Sequence, residues 1–316
     1  MKVLVTSTSF GKQVQAPLEK LQKFGYDLVF NTQSHPLKGQ ELIELLADCD
    51  GVIAGLDYYT ADVIAACPKL KVIARYGVGY DRVDLAAARE AGIVVTNTPE
   101  ANSNSVADLA VALMLAVGRH IPQANADTRA GGWGKFNGIS LTGKTVGLLG
   151  FGRIGQRVAR RVQGFDCPVI AYDPFLSEEF MAGLNVVKCE TIDDVLRQAD
   201  FISLHLPAND QTRGCINAEK LALMKPTAIL VNTARGEVVD EPALVQAVKS
   251  KTIGGAGLDV FATEPIDLSL YQDVDQIVLT PHIAAHSEEA LYNMGMGAVE
   301  NLSAVLAGKE PINPVK

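Results

Sequence analysis

Short apolar runs and stretches of helical spacing alternate along this chain of 316 residues. Val3–Val5, Leu28–Phe30, Gly51–Ala54, Lys71–Ala74 and Ile93–Thr96 read as short buried strands. Leu18–Phe24, Glu41–Leu46, Ala61–Ala66 and Leu85–Ala91 read as the helices between them. Thr98-Pro99 breaks the pattern, and a long apolar helix follows over 104–119, with Val106, Leu109, Ala110, Leu113, Met114 and Val117 at helical spacing. Residues 127–143 read as irregular. A second block opens at Lys144 with strand Thr145–Leu149, a helix through Arg161 and strand Val169–Tyr172. Further strands are predicted at Phe201–Leu204, Ala228–Asn232, Gly257–Val260 and Ile277–Thr280, and a closing helix at Glu288–Ala307. Such alternation predicts parallel sheets covered by helices, in two similar α/β halves.

Composition narrows the function classes. The chain carries 28 basic and 36 acidic residues, a net charge of −8 and a pI near 5.2, which disfavours nucleic acid and anionic membranes as partners. Five scattered cysteines without a CxxC pair suggest reduced thiols, and no metal-ligand spacing is present. The N-terminus turns polar within six residues, without the apolar core of a signal peptide. A soluble, cytoplasmic protein is expected.

The sharpest motif is Gly150-Phe151-Gly152-Arg153-Ile154-Gly155, a G-x-G-x-x-G between a predicted strand and a predicted helix. Gly150 would make the tight turn, Gly152 would admit a pyrophosphate to the backbone, and Gly155 would allow close helix–strand packing. The helix N-terminus favours the diphosphate charge. Asp173 ends the next strand, eighteen residues past Gly155, where a carboxylate accepts ribose hydroxyls and repels a 2′-phosphate. NAD is therefore the expected cofactor. The ordinary alternative is a tight turn with a strand-end Asp capping local backbone.

Three later segments place chemistry after strands: Arg235 in Asn232–Gly236, Asp259 and Glu264 in Leu258–Pro265, and His282 in Thr280–Ile283. Arg holds a carboxylate through two parallel hydrogen bonds. His exchanges a proton near neutral pH, and a neighbouring Glu favours its charged form. Each also has an ordinary reading, as a surface ion pair, a turn residue or a loop histidine. Found together on one edge beside a nicotinamide site, the three are not readily read as accidental.

The segments RYGVGYDRVD (75–84), GLLGFGRIG (147–155), AYDP (171–174), ILVNTARGEVVDEPAL (229–244), GLDVFATEP (257–265) and TPHIA (280–284) resemble the D-isomer-specific 2-hydroxyacid dehydrogenases along essentially the whole chain. The phosphoglycerate dehydrogenase branch, in a short form without a regulatory domain, is the most similar. The resemblance implies two Rossmann-like, doubly wound parallel-sheet domains: a substrate domain of 1–98 plus 285–316 and an NAD-binding domain of 99–284. It implies a homodimer formed through the nucleotide domain, including the helix near 104–119 and the arm after it. Carried over by position, Arg235 would bind the substrate carboxylate, His282 would be the acid/base, and Glu264 would hold it. Asp259 would face the nicotinamide carboxamide. The backbone N–H groups of Val78 and Gly79 would close on the carboxylate, and Arg75 would face a second anionic group. NAD contacts would include Arg153, Ile154, Leu206, Pro207, Thr233 and Ala234. Three departures bear on the substrate: Ala54 stands where phosphoglycerate dehydrogenases usually carry an Arg, Arg82 where they usually carry Asn, and the segment Trp133–Leu141 is shorter than in typical members. Glyoxylate or hydroxypyruvate reductase, or another D-2-hydroxyacid dehydrogenase, is the alternative, and an NAD-sensing co-repressor a remote one. Glu264 argues against formate, because formate dehydrogenases of this superfamily carry Gln there.

Overall fold

A computed structural model describes residues 1–33 and 35–315, which divide into two compact units, Met1–Ser105 with Ala285–Lys316 and Val106–Ala284. The first change of unit falls inside Ser103–Gly118, a single continuous helix.

Unit 1 contains β1 (Lys2–Val5), α1 (Ala16–Gln22), β2 (Asp27–Phe30), α2 (Gln40–Leu46), β3 (Gly51–Ala54), α3 (Ala61–Ala65), β4 (Val72–Arg75), α4 (Leu85–Glu90) and β5 (Val94–Thr96). The strands form one parallel sheet of order β2-β1-β3-β4-β5, the flavodoxin-like winding. β3 and β4 are buried along their whole length, which explains their unbroken apolar runs. The last helix of the chain, Glu288–Leu306, lays Ala298, Val299, Leu302 and Leu306 on the face formed by Val3, Val5, Val72 and Ala74. Gly51 permits this approach, since a Cβ there would sit 2.8 Å from Val72 and 3.0 Å from Leu302.

The chain passes through α5 (Ser103–Gly118) into unit 2, which adds α6 (Ile121–Arg129), β6 (Val146–Leu149), α7 (Arg153–Gln163), β7 (Val169–Tyr172), α8 (Glu178–Ala182), β8 (Val186–Lys188), α9 (Ile192–Gln198), β9 (Phe201–Leu204), α10 (Ala218–Leu221), β10 (Ile229–Asn232), α11 (Glu241–Lys249), β11 (Gly255–Leu258) and β12 (Ile277–Leu279). The closing helix is then α12. The seven strands are all parallel, in the order β12-β11-β10-β9-β6-β7-β8. The order reverses between β6 and β9, the switch point at which open α/β sheets bind ligands outside their carboxyl ends. One core layer packs α9 and α11 on one face, and the other packs α5 and α7 on the opposite face. Residues 127–129, read as irregular, are the last turn of α6. That helix buries no residue, so no apolar period marks it in the sequence. No single described helix is long and apolar enough to cross a membrane.

Candidate active site

One line of register organises unit 2. Tyr172 pairs with Leu149, Leu149 with Leu204, Leu204 with Asn232, Asn232 with Leu258, and Leu258 with Leu279. Because every strand is parallel, the residues just past this line share one sheet edge. They are Asp173, Gly150, His205, Thr233, Asp259 and Thr280. The predicted cofactor and catalytic residues all follow within a few residues. Buried strands of nearly equal length therefore bring segments far apart in sequence to a single rim.

At the β6 end, Gly150 has φ 92°, and a Cβ there would lie 2.6 Å from the carbonyl oxygen of His205. A Cβ on Gly155 would lie 2.5 Å from the Gly150 oxygen. Packing demands both glycines. Gly152 is different, since a Cβ there would meet nothing within 4 Å and its φ of −69° suits any residue. Protein packing gives no reason for glycine at that point, whereas close approach of a dinucleotide gives one. Gly152 also begins α7 without any side-chain cap, so the helix N-terminus is left to a ligand anion. The site fits a dinucleotide.

Asp173 is half-buried, and its carboxylate accepts from Phe151 N at 2.9 Å and Phe175 N at 3.0 Å. It ties the glycine loop down, and each oxygen keeps a second lone pair for a ribose hydroxyl. Ile154 packs against the α5–α7 core, and Arg153 is exposed at the start of α7. Leu206 is buried, Pro207 is exposed, and the Pro207 carbonyl accepts from the Thr212 hydroxyl. After β10, Asn232 accepts from Ala234 N at 3.0 Å and donates to the Arg235 carbonyl at 2.8 Å. That turn presents Thr233 and Ala234 at the rim, and the buried Thr233 hydroxyl meets no hydrogen-bond partner among the described residues.

The catalytic candidates sit at the ends of β10, β11 and β12. Glu264 and His282 meet directly, with Nδ1 of the imidazole 2.9 Å from Oε1 and 3.1 Å from Oε2. The Glu264 side chain is 13% exposed and that of His282 is 29% exposed, so the carboxylate lies within the protein and the ring reaches out. Since Nδ1 faces Glu264, Nε2 is the nitrogen a substrate can meet. His282 holds φ 53°, fixed by its N–H donating to the carbonyls of Asp259 (2.9 Å) and Thr280 (3.0 Å). Arg235 follows β10, two strand spacings from β12, a distance on the order of 10 Å. Its Nη1 donates to the Ala234 carbonyl at 2.7 Å.

Asp259 is fully buried, and burial pushes its carboxyl up from the ordinary range against hydrogen bonds that lower it. Its oxygens accept from the Thr280 hydroxyl at 2.6 Å, Ile283 N at 2.8 Å and Ala284 N at 2.9 Å. Asp259 therefore organises the His282 turn, a role the sequence reading did not assign to it.

His205 also went unread. Its N–H binds the Leu149 carbonyl at 2.7 Å, and neither ring nitrogen meets a partner among the described residues. Burial lowers its pKa from 6.5 to about 3. Between those values the unfolded chain binds a proton that the native ring refuses, so this contribution to stability is lost as pH falls below 6.5. From pH 7.5 to 5.5 the loss should be on the order of 1 kcal/mol. Urea unfolding at the two pH values should show His205→Asn less acid-sensitive than the parent by about that amount, and equal sensitivity would refute the assignment.

In unit 1, the turn after β4 directs its carbonyls into the protein. The Gly77 oxygen accepts from Thr98 N (3.0 Å), the Val78 oxygen from Asn97 Nδ2 (2.8 Å) and the Gly79 oxygen from Arg75 Nε (2.9 Å). Among the described residues no acceptor meets the N–H of Val78 or Gly79, so the turn offers two amide donors to an anion. Arg75 is only 5% exposed, and its Nη1 donates to the Ala54 carbonyl at 2.7 Å. At least two of its donor groups thus hold backbone, one at the end of β3 and one in the turn. Arg82 lies a few residues past this turn, its guanidinium 4.7 Å from the Tyr58 ring centroid and its Nη1 2.7 Å from the Leu56 carbonyl. No group of three or more potential metal ligands occurs among the described residues.

Comparison with known proteins agrees with this reading. Residues 111–284 match the D-isomer specific 2-hydroxyacid dehydrogenase, NAD binding domain. The chain is 44% identical over 282 residues to a D-3-phosphoglycerate dehydrogenase of Methanocaldococcus jannaschii, covering 88% of this chain and 54% of that protein. It spans about half the length of the curated phosphoglycerate dehydrogenases it matches. A hydroxypyruvate reductase of Thermotoga maritima is 41% identical over 295 residues, covering 90% of this chain and 95% of that protein. The crystal structure of the TT0316 protein from Thermus thermophilus superposes with a TM-score of 0.91 at 39% identity, covering 100% of both chains. With its glycine loop, its strand-end Asp173 and its His282–Glu264 pair on one sheet rim, the chain belongs to the D-isomer-specific 2-hydroxyacid dehydrogenase family, with an NAD-binding domain.

Proposed function

We propose that the protein is an NAD-dependent oxidoreductase that interconverts a D-2-hydroxy acid and its 2-oxo acid, with 3-phosphoglycerate as the preferred kind of substrate. The observation that carries this is the Glu264–His282 pair at 2.9 Å, on the same rim as the glycine loop and Arg235. Bound NAD would supply the hydride acceptor, and NADH the hydride donor. His282 Nε2 takes the proton of the C2 hydroxyl in oxidation and returns it to the carbonyl oxygen in reduction. Glu264 fixes the ring through Nδ1. Arg235 binds the substrate carboxylate, and the N–H groups of Val78 and Gly79 offer donors to an anionic group. Gly150, Gly152, Arg153, Ile154, Gly155, Asp173, Leu206, Pro207, Thr233, Ala234 and Asp259 line the cofactor site. Residues 1–98 with 285–316 serve as the substrate domain and 99–284 as the NAD domain.

The buried Arg75 favours a second reading. Its bonds to Ala54 and Gly79 make it a support for the turn, which suits an acid without a second anionic group, such as hydroxypyruvate or glyoxylate. The similarity to the Thermotoga maritima reductase over 95% of that protein's length adds to this. Purified protein assayed on 3-phosphoglycerate, glycerate, glycolate and D-lactate with NAD, and on the matching 2-oxo acids with NADH, separates the two. We expect turnover, with the phosphorylated acid the best. Turnover of the unphosphorylated acids alone would establish the reductase reading, and no turnover despite NADH binding would refute both.

A cytoplasmic homodimer completes the proposal. The homodimer is supported by α6, which buries nothing, and by the arm beyond it, where Trp133 is 81% exposed.

A further inference from the structure

The loop that carries Glu264 has few apolar anchors of its own. Phe261 is buried, but Ala262 and Thr263 are exposed and Glu264 is half-buried. What holds Ala262 is Glu241, the first residue of α11. Its Oε1 accepts from Ala262 N at 2.6 Å, and its Oε2 accepts from the Tyr271 hydroxyl at 2.6 Å. Both bonds are short and charge-assisted. The Tyr271 ring meets Phe261 edge-on, with centroids 6.1 Å apart and planes at 77°. The start of α11 is itself fixed by Asp240, which accepts from Ala243 N at 3.0 Å. A connected path thus runs from the helix start through Glu241 to Ala262, two residues along to Glu264, and across to His282. Within the loop, Phe261 N donates a long hydrogen bond to Glu264 Oε1, at 3.3 Å.

We propose that Glu241, seconded by Tyr271, is a positioning residue for the Glu264–His282 pair. Glu241 touches Ala262 and Tyr271, and it acts on the proton-transferring imidazole only through the loop. The reasoning rests on Glu264 and His282 as the acid/base pair. A carboxylate orients and charges an imidazole only while it stays within hydrogen-bond reach, and a displacement of about 1 Å can lower turnover by about 100-fold. A purely structural Glu241 would change folding stability without altering the protonation behaviour of His282.

The test compares Glu241→Ala, Glu241→Gln and Tyr271→Phe in NADH-dependent reduction of hydroxypyruvate, followed across pH. Glu241→Ala should lower kcat about tenfold or more, leave KM and NADH affinity within about twofold, and move the alkaline limb to lower pH. Glu241→Gln still offers Ala262 N an acceptor and should recover most of kcat. Tyr271→Phe keeps the Ala262 bond and should lie between. An NMR titration of the His282 ring in wild type and Glu241→Ala needs no turnover, and its midpoint should move to lower pH in the variant. Unchanged kcat in all three variants, or a fall in kcat with both the alkaline limb and the NMR midpoint unmoved, would overturn the proposal. If the wild type reduces no 2-oxo acid, the acid/base reading fails. The NMR midpoint then still decides whether Glu241 governs the pair.

Discussion

Replacing His282 with asparagine is expected to lower kcat for reduction of the preferred 2-oxo acid by about 10²–10⁴-fold, the usual worth of a positioned general acid. NADH affinity should stay close to that of the parent, because the dinucleotide loop belongs to β6 and α7 at the other side of the switch point. Asparagine also tolerates the left-handed backbone at this position, φ 53°, better than most residues. The change therefore tests the ring rather than the turn. Reduction needs a proton donor and oxidation a proton acceptor, so the two directions should show opposite pH dependence in the parent. Glu264→Gln separates orientation from charge. The amide oxygen can still accept from Nδ1, but the attraction for the imidazolium is gone, so the alkaline limb of reduction should begin at lower pH. Stopped-flow and steady-state rates across pH check both. A His282→Asn enzyme retaining a tenth or more of parental kcat would remove His282 from the reaction.

How much of this was visible beforehand differs from element to element. Gly51–Ala54, Val169–Tyr172 and Phe201–Leu204 match their predicted bounds, because strands buried on both faces write continuous apolar runs. β11 was displaced, predicted at Gly257–Val260 and found at Gly255–Leu258. Its first and third residues are glycine because neighbours lie on them: a Cβ on Gly255 would sit 2.6 Å from the Gln276 carbonyl oxygen and 2.9 Å from Val117 of α5, and one on Gly257 2.9 Å from Leu113 of α5. Tertiary packing there removed the side chains from which a strand is read. β8 escaped notice as a short edge strand with Val187 mostly exposed. The Gly150–Gly155 loop and the Glu264–His282 pair were legible because their chemistry needs particular residue types in a recognisable order. Glu241 and Tyr271 were not, since each is an ordinary residue for a helix start and a turn, and only the fold brings them to Ala262. Arg75 shows the opposite limit, a guanidinium whose sequence position advertises a ligand while two of its bonds hold backbone.

Gly236→Ala should be the most damaging small change at the rim. A Cβ on Gly236 would overlap the Phe261 carbonyl carbon and the Ala262 nitrogen. Those are backbone atoms of a loop pinned by Glu241 and cannot swing aside as a flexible side chain would. Either the turn bearing Arg235 or the loop bearing Glu264 must therefore shift. Overpacking of this kind costs about 3 kcal/mol, equivalent to a fall in Tm of roughly 6–12 °C for a unit of this size. Displacement of either group should lower kcat/KM by about 100-fold. Gly152→Ala supplies the contrast. Space beside Gly152 is open in the protein, so that variant should melt like the parent while its NADH affinity drops. Differential scanning calorimetry and fluorescence titration of NADH distinguish the two. A stable, fully active Gly236→Ala protein would show that the Arg235 turn and the Glu264 loop are not held in contact, and the convergence of the catalytic groups at this rim would lose its structural basis.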